Sequence, residues 1–320
     1  MEWYWIVLLV LLLIAVLVLL TTYICFRMAF FVSRKKRKAE AEFDIPPGEI
    51  YEPYREIMID WMKKMRAEPH REVTITSFDG LTLRGNYYEY EAGAPIELMF
   101  HGYRGTAERD LCGGIQRCFA LKRNVLIVDQ RGCGKSEGNV ISFGINESRD
   151  CLCWIDFLIE QFGPDVKILL TGISMGASTV MIAAGKELPP NVVGLLADCG
   201  FTSARAIIKK VIRQMKLPAD LLYPFVKLGA RLYGGFNPEE TSAVEAMRRC
   251  RLPIIFFHGD ADDYVPCDMS RENYEACAAP KQLVVVPGAG HGLAFMLDQE
   301  AYIRTLAEFS EKNHLPVSLA

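Results

Sequence analysis

The sequence has few of the side chains that hold metal ions or build disulfide frameworks. Its five histidines are scattered, and its ten cysteines form no CxxC pair. Structural zinc sites need closely spaced Cys and His ligands, and disulfide scaffolds are short chains dense in cysteine, so neither is indicated. Free thiols in a reducing compartment are the favoured interpretation, and no metal or cofactor is expected.

The net charge is also small. The 320 residues carry a formal charge of -3, and no internal repeat is evident. A nucleic-acid-binding domain normally shows a clear basic excess, so nucleic acid is not an expected partner. The length fits one large α/β domain with additions, and nothing in the sequence indicates an oligomeric state.

A long stretch near the amino terminus has no charged side chain. Residues 3–26 contain no charged side chain, and these 24 residues at helical rise span about 36 Å, more than a hydrocarbon core of about 30 Å. Trp3, Trp5 and Tyr23 suit the two interfaces of a bilayer. A cleaved signal peptide is the alternative, but it needs a basic start and a shorter apolar core. We therefore predict a transmembrane helix over residues 3–32.

A basic run follows this apolar stretch directly. Residues 34–38 are Arg or Lys at every position. Cytoplasmic flanks of membrane spans are enriched in Lys and Arg, and anionic lipid head groups are the simplest partner for such a run. We predict a basic flank and linker over residues 33–50, followed by a cytoplasmic domain over residues 51–320 that is held at the cell membrane.

The rest of the chain alternates between strand and helix patterns. Residues 51–67 have the spacing of an amphipathic helix, and a turn at residues 78–80 separates two strands of an edge hairpin, 72–77 and 81–89. The repeated strand, loop and helix units that follow predict a mostly parallel sheet with helices on both faces. The predicted strands are 96–100, 125–129, 167–171, 192–198, 253–257 and 282–286, and the predicted helices are 107–122, 145–162, 175–187, 269–278 and 299–313.

The stretch over residues 203–251 is too long for a single crossover, and it is predicted to be a helical lid. Within it, apolar residues at helical spacing alternate with basic ones, which gives one helix an apolar stripe beside a basic stripe. Two roles are open. The stripe lines a slot for an acyl chain while the basic side faces lipid head groups, or it packs on the domain. The apolar stripe consists of Ile207, Ile208, Val211, Ile212 and Met215.

A GxSxG motif marks the centre of the predicted sheet. Ser174 lies between Gly172 and Gly176, where a strand pattern changes to a helix pattern. A turn this sharp strains its central residue, and glycines two positions away avoid collisions with it. The hydroxyl then lies exposed above a helix amino terminus, as in a nucleophile elbow, and the N–H of Met175 becomes a candidate oxyanion donor.

Two further loops follow predicted strands and carry suitable groups. The loop after strand 96–100 is rich in glycine, so its backbone can approach a substrate, and the Tyr103 N–H is the candidate second oxyanion donor. His291 lies in a glycine-rich loop after the last predicted strand. A histidine there can act as the base that takes a proton from the serine.

A carboxylate is needed to orient that histidine. Asp260, Asp262 and Asp263 all follow the strand that ends at residue 257, and each is a candidate. The other two can cap turns or the next helix.

Together these motifs resemble those of the α/β-hydrolase superfamily of serine hydrolases, in particular membrane-anchored bacterial hydrolases of esterase or serine-aminopeptidase-like type. Residues 129–138 also resemble the DxRGxGxSxG loop of that family, with Cys133 where histidine is common. The resemblance covers about residues 70–315 and implies the α/β-hydrolase fold. It places the acid at Asp262, which implies a triad of Ser174, Asp262 and His291 in the chain order that this fold requires.

The implied activity is hydrolysis of a carboxylic ester through an acyl-enzyme, on a small acyl substrate that includes lipid-derived ones. Esters, thioesters and amides share the same tetrahedral intermediate, so a peptidase or an acyl thioesterase remains open. A catalytically inactive membrane-tethered binding protein is the alternative of another class. Every triad position holds a competent residue, which favours an enzyme.

Overall fold

The computed structural model describes residues 2–33 and 42–316, so the basic run at 34–38 lies outside the described residues. The strands are β1 His70–Thr76, β2 Thr82–Tyr88, β3 Ile96–Phe100, β4 Asn124–Asp129, β5 Ile168–Ile173, β6 Val192–Asp198, β7 Ile254–Gly259 and β8 Lys281–Val286. They form one sheet in the order β1-β2-β4-β3-β5-β6-β7-β8. The β1–β2 and β2–β4 pairs are antiparallel, and the others are parallel. The predicted mostly parallel sheet with an antiparallel edge is confirmed.

Helices cover both faces of this sheet, as predicted. They are α1 Trp3–Ala29, α2 Arg55–Ala67, α3 Ala107–Leu111, α4 Gly114–Ala120, α5 Glu147–Phe162, α6 Met175–Ala184, α7 Ala204–Gln214, α8 Ala219–Gly234, α9 Ala243–Arg249, α10 Cys267–Ala276, α11 Ala294–Leu297 and α12 Gln299–Lys312. A short 3-10 helix, Glu49–Tyr54, leads into α2. Helices α5, α6, α9 and α10 pack on one face, and α2, α3, α4 and α12 pack on the other.

The single helix predicted over residues 107–122 is wrong, because the structure has two short helices, α3 and α4, in this stretch. The break lies at a pair of glycines where neighbouring side chains press on the backbone. A Cβ on Gly113 would lie 2.6 Å from the ring of Trp61, and a Cβ on Gly114 would lie 2.5 Å from Cε of Met99. The Trp61 ring leaves no room for a Cβ at Gly113, whereas the flexible end of Met99 can shift at Gly114, and glycine is a poor helix former.

A buried ionic network fixes α4 and the loop after it to the sheet. Glu97 of β3 is fully buried and is bonded to Arg117 and to Arg123, the latter at 3.0 Å. Thr171 of β5 donates a hydrogen bond of 2.6 Å to the same carboxylate. Burial alone would raise the pKa of Glu97, but the two guanidinium groups lower it to about 2, so the carboxylate stays ionised.

Helix α1 is apolar, and its length and composition are sufficient for it to cross a membrane. Its first turns are exposed, but its last turns pack on the domain beside α8. Thr22, Phe26 and Phe30 form the buried stripe. The ring of Phe30 meets those of Phe143 and Phe236 edge to face, at centroid distances of 5.7 and 5.2 Å.

The chain leaving α1 also bonds to the domain. The N–H of Val32 donates to the carbonyl of Asn139 at 2.8 Å, and the N–H of Ile141 donates to the carbonyl of Phe30 at 2.9 Å. These bonds join residues 30–32 to the loop that precedes α5. The carboxyl end of α1 is therefore an integral part of the packed structure.

Helices α7, α8 and α9 lie between β6 and β7, in the stretch predicted as an insertion. Ile207, Ile208 and Ile212 of the α7 stripe are buried. They belong to the same apolar cluster as Phe26 and Phe30 of α1. The α7 stripe therefore packs on the domain, which was one of its two predicted roles.

Candidate active site

Ser174 lies on a strained turn between β5 and α6. Its φ of 55° and ψ of -116° are unusual for any residue with a side chain. A Cβ on Gly172 would lie 2.1 Å from the backbone of Gly176, and a Cβ on Gly176 would lie 2.0 Å from the carbonyl oxygen of Phe100. Both glycines are therefore required for the turn. The N–H of Ser174 donates to the carbonyl of Asp198 at 2.8 Å, which fixes the turn to β6.

The structure brings Ser174, His291 and Asp262 together. Nε2 of His291 lies 2.9 Å from Oγ of Ser174, and Nδ1 of His291 lies 2.7 Å from Oδ2 of Asp262. The loops that carry these side chains follow β5, β7 and β8. The carboxyl ends of parallel strands meet at one edge of the sheet, which is why residues 117 positions apart are in contact.

Asp262 is held as an anion. Its Oδ1 accepts hydrogen bonds from the N–H groups of Tyr264 and Val265, at 2.9 and 2.8 Å. Burial would raise the pKa of Asp262, but hydrogen bonds from His258 and His291 outweigh it, and the pKa lies well below its usual range. The carboxylate is thus ionised at neutral pH.

The other two candidate carboxylates do not reach His291. Asp260 is exposed, and its Oδ1 accepts from the N–H of Gly288 at 2.6 Å, which connects the β7 loop to the β8 loop. Asp263 is exposed, and its backbone carbonyl accepts from Gln214 of α7 at 2.9 Å.

Sequence reasoning missed the role of His258. His258 is fully buried, and its Nε2 lies 3.2 Å from Oδ2 of Asp262 and 2.8 Å from the carbonyl of Val265. Its Nδ1 lies 2.6 Å from Oγ of Ser270 in α10. All these contacts are satisfied when Nε2 carries the proton and Nδ1 accepts from the serine. His258 therefore contacts the same oxygen of Asp262 as His291 does and helps to hold the carboxylate.

The loop after β3 lies against the nucleophile turn. A Cβ on Gly102 would lie 3.5 Å from Cβ of Ser174. The loop is held from inside the domain, because Asp110 accepts from the N–H of Gly102 at 2.9 Å and Gln130 donates to the carbonyl of His101 at 2.6 Å.

Two amides beside Ser174 are available as donors. Among the hydrogen bonds of the described residues, neither the N–H of Tyr103 nor that of Met175 has a protein acceptor. Met175 is the first residue of α6, where a helix leaves its amides unpaired. The two predicted oxyanion donors therefore belong to different elements, the loop after β3 and the first turn of α6.

A cavity of about 590 Å³ opens at Ser174 and His291. Its size is typical of a small-ligand site. The wall is mostly apolar and combines α2, the α3–α4 break and α11 with the 3-10 helix and the loop before it. Side chains that define it include Ile50, Met58, Trp61, Met99, Leu111, Phe295 and Met296.

None of the described residues of α7 or α8 lines this cavity. The expectation that the α7 stripe forms an acyl-binding slot is therefore wrong. The stripe is buried in the same apolar cluster as the end of α1, and part of the cavity wall comes instead from residues 46–61, upstream of the sheet.

Asp198 is a second carboxylate at the cavity that sequence reasoning missed. It is buried at the end of β6, and its Oδ2 accepts from the hydroxyl of Tyr302 at 2.9 Å. Burial raises its pKa to about 6, although the Tyr302 bond opposes that effect. The pKa values of these two acids near Ser174 are thus shifted in opposite directions, upward for Asp198 and downward for Asp262.

One group of potential metal ligands was found among the described residues. Sγ of Cys199, a carboxylate oxygen of Asp262 and a ring nitrogen of His291 lie within 4.8 Å of one another. Asp262 and His291 are bonded to each other, and burial raises the pKa of the Cys199 thiol well above its usual value. A protonated thiol is a poor metal ligand, so these residues suit a hydrogen-bonded network better.

Comparison with known proteins identifies sequences and structures that are similar to this chain. The sequence profile of the alpha/beta hydrolase family matches residues 98–305. Protein YqkD of Bacillus subtilis is 29% identical over 187 residues, which is 58% of this chain and 61% of that protein, so less than two thirds of that relative is covered. Protein bem46 of Schizosaccharomyces pombe is 27% identical over 226 residues, which is 69% of each chain.

Solved structures share the fold at lower identity. The esterase Pf2001 of Pyrococcus furiosus superposes with a TM-score of 0.65 at 22% identity, over 84% of this chain and 97% of that one. Est1E of Butyrivibrio proteoclasticus, solved with ferulic acid bound, superposes with a TM-score of 0.57 at 18% identity, over 76% of this chain and 99% of that one.

The pKa of Asp198 predicts a pH effect on stability. A carboxyl whose pKa is about 6 when folded and about 3.9 when unfolded favours the folded state most below pH ~4, and this contribution is lost as pH rises through ~6. Asp198→Asn does not titrate and can still accept the Tyr302 bond. The free energy of unfolding of the wild type minus that of the variant should fall by up to about 1.4 kcal/mol per pH unit between these values.

Urea unfolding of the full chain in one detergent, at pH 4.5 to 7.5, measures this difference. Asp260→Asn, at an exposed loop carboxylate, is the matched control for removal of a charge. A wild-type-minus-variant difference that stays constant with pH would contradict the assignment of Asp198.

Proposed function

The chain belongs to the alpha/beta hydrolase family, and from that premise we propose that it is a serine hydrolase that cleaves a carboxylic ester through an acyl-enzyme. The observation that carries this proposal is the unbroken chain of hydrogen bonds from the Ser174 hydroxyl through His291 to Asp262. A hydroxyl paired with an imidazole, whose other nitrogen is held by a carboxylate, is the arrangement that activates a serine nucleophile.

Each group has a defined role in the proposed reaction. The Ser174 oxygen bonds to the ester carbonyl carbon while His291 Nε2 takes the hydroxyl proton, and the N–H groups of Tyr103 and Met175 hold the resulting oxyanion. His291 then gives that proton to the leaving alcohol as the ester C–O bond breaks. Water repeats the sequence on the acyl-enzyme and releases the acid. Asp262 remains ionised throughout and stabilises the imidazolium.

The cavity supports an apolar acyl or aryl group as the part of the substrate that enters deepest. Its wall of methionine, leucine, isoleucine and aromatic side chains offers mainly hydrophobic burial. Est1E accommodates ferulic acid, an aromatic acid, on the same fold, and we extend the idea of an apolar acid moiety to this chain. Lipid-derived acyl esters are included in this substrate class.

An amide or a thioester would pass through the same tetrahedral intermediate. A peptidase or an acyl thioesterase is therefore the second candidate, and esters are preferred because esterases are among the structural neighbours. An inactive membrane-tethered binding protein is disfavoured by the intact hydrogen-bond chain and by the two amides without protein acceptors.

Substitutions at the triad test the mechanism. A fluorophosphonate probe should label the wild type and not Ser174→Ala, because the probe bonds to the activated serine oxygen. Asp262→Asn should lower turnover of a nitrophenyl ester by about 10⁴, since the wrong histidine tautomer is then favoured. Asp260→Asn and Asp263→Asn are the matched controls and should stay within about threefold of wild type.

Labelling that persists in Ser174→Ala would refute the nucleophile. A larger loss in either control than in Asp262→Asn would refute the acid. Absence of labelling in a folded wild type would favour the binding-protein alternative.

The substrate class is tested with nitrophenyl esters from acetate to decanoate, beside amide and acyl-CoA counterparts, on the full chain in detergent. Each buried methylene can contribute about 0.8 kcal/mol, so kcat/KM should rise roughly tenfold or more across the first few carbons. Met296→Trp should narrow the cavity and move the optimum to shorter chains. Ile208→Val, in the α7 stripe outside the cavity, should leave the profile unchanged.

A flat profile would refute the apolar acyl site. A higher kcat/KM for the amide or acyl-CoA counterpart would favour the peptidase or thioesterase candidate.

We also propose that α1 is a retained membrane anchor with the domain on the cytoplasmic side. Phe26 and Phe30 are buried in the domain, and loss of α1 as a signal peptide would uncover Phe143 and Phe236. Large apolar patches of this kind are unfavourable on a soluble protein. The basic run at 34–38 supports the cytoplasmic orientation.

A reporter fused after Ala320 tests this topology. Green fluorescent protein should fluoresce and alkaline phosphatase should be inactive there, because the first folds in the cytoplasm and the second needs an oxidising compartment for its disulfides. The same fusions after Met1 should give the reverse for alkaline phosphatase. Active phosphatase at the carboxyl terminus would contradict the orientation.

A further inference from the structure

The carboxyl end of α1 leaves backbone carbonyls without helical partners. A helix that ends at Ala29 has no internal donor for its last four carbonyls, so these carbonyls need hydrogen-bond donors from outside the helix. Phe26 still receives the N–H of Phe30 at 2.9 Å. The carbonyls of Met28 and Ala29 therefore depend on side chains or solvent.

Both carbonyls are bonded by side chains from the loop after β3. The hydroxyl of Tyr103 donates to the carbonyl of Ala29 at 2.7 Å. Nη2 of Arg104 donates to the carbonyl of Met28 at 2.9 Å and to that of Phe31 at 3.0 Å. The guanidinium also places a positive charge at a helix carboxyl terminus, where the helix dipole favours it.

One of these bonds is made by the residue whose backbone N–H is a proposed oxyanion donor. The side-chain hydroxyl of Tyr103 bonds to α1, and the backbone N–H of the same residue is the proposed donor. Burial raises the pKa of Tyr103, so the hydroxyl remains a donor over the working pH range. Arg104 has a φ of 53°, a left-handed conformation that its side-chain bonds help to maintain.

Apolar packing connects the same groups. The ring of Tyr103 stacks on Phe143 at 5.0 Å, and Phe143 meets Phe30 of α1 edge to face. Met175, whose N–H is the other proposed oxyanion donor, belongs to the same apolar cluster as Phe26 and Phe30. Tyr103 is therefore bonded directly to the end of α1, and Met175 shares an apolar cluster with it.

We propose that the last turn of α1 positions the oxyanion donors, with the Tyr103 hydroxyl and Arg104 as positioning residues. The loop is held from inside by Asp110 and Gln130, and from outside by the carbonyls of α1. Loss of the outer bonds lets the Tyr103 amide move away from the oxyanion. The inference rests on the proposed function, and it makes hydrolysis depend on the docked state of the apolar helix.

The test uses the full chain in detergent or lipid nanodiscs, with Tyr103→Phe, Arg104→Met and the double variant. Tyr103→Phe keeps the backbone amide and the ring stacked on Phe143, and removes only the hydroxyl. Loss of an oxyanion donor lowers kcat by about 10²–10³, so a displaced donor should lower it by about tenfold in each single variant and roughly a hundredfold in the double variant, with little change in KM. Arg104→Lys, which keeps a cation and a donor, should recover part of the loss.

Inhibition by a trifluoromethyl ketone, which forms a tetrahedral adduct with the serine, distinguishes positioning of the donors from a general structural role of Tyr103 and Arg104. Its inhibition constant should weaken in proportion to kcat across the series, because it uses the oxyanion donors as the transition state does. Tyr233→Phe is the matched control, since Tyr233 packs on α1 against Tyr23 and Phe26 and makes no contact with the loop. It should retain wild-type kcat.

Wild-type kcat in the double variant would overturn the inference while leaving the proposed function intact. A fall in kcat without weakening of the ketone would also overturn it. Absence of fluorophosphonate labelling in the wild type would instead overturn the proposed function. Thermal unfolding of each variant separates loss of fold from loss of position, and a double variant that unfolds early is replaced by the two single variants.

Discussion

Close backbone packing around Ser174 is the constraint on which the rest of the site depends. A positive φ at a residue with a side chain costs on the order of 1–3 kcal/mol, and it persists only where the surroundings over-determine it. Here the backbones of Gly172, Gly176 and Phe100 approach so closely that no Cβ fits, and every residue of α6 is buried beneath the turn. The turn lifts the hydroxyl above the sheet edge. The loops after β3, β7 and β8 end at the same edge because their strands are parallel, so the donors, the acid and the base meet there.

Features that are local in sequence could be predicted, because they follow from periodicity and turn chemistry. The order of strands and helices, the edge hairpin and the serine turn all have such signals. The choice among three carboxylates within four residues did not follow from pattern, and needed the family resemblance. In the structure it depends on turn geometry, since Asp262 alone receives the amides of Tyr264 and Val265 and lies beside His291. The break between α3 and α4 was missed because it arises where Trp61 packs across the chain.

Features that depend on distant contacts had no sequence signal. Asp198 is the last residue of an apolar strand, and only the fold brings it beside Tyr302, 104 residues later. A comparison of Asp198 with Asp262 illustrates how burial and hydrogen bonding compete, because Asp262 is also buried and yet its pKa is lowered. Four donors around Asp262 compensate its charge and lower its pKa, whereas the side chain of Asp198 has one hydroxyl donor and its pKa is raised. The cavity wall from residues 46–61 was likewise invisible, since an amphipathic helix has the same pattern whether it covers a core or a ligand.

Under the proposed membrane topology, the packing of α1 on the domain also determines how the protein is oriented relative to the membrane. The helix has 27 residues and is about 40 Å long, which is about 10 Å more than the thickness of a hydrocarbon core. Under the proposed topology its last two turns therefore lie outside the lipid chains, where they pack on the domain. A domain joined to its membrane helix by a flexible linker rotates freely relative to that helix. The domain of this protein shares an apolar cluster with α1 through Phe26 and Phe30, and so the domain and the helix rotate together. In the proposed membrane-bound state, the cavity, whose lining includes Tyr103 and Arg104, therefore keeps a fixed distance and orientation relative to the lipid surface. A substrate that diffuses within that surface then reaches the cavity by two-dimensional diffusion and approaches it from a fixed direction.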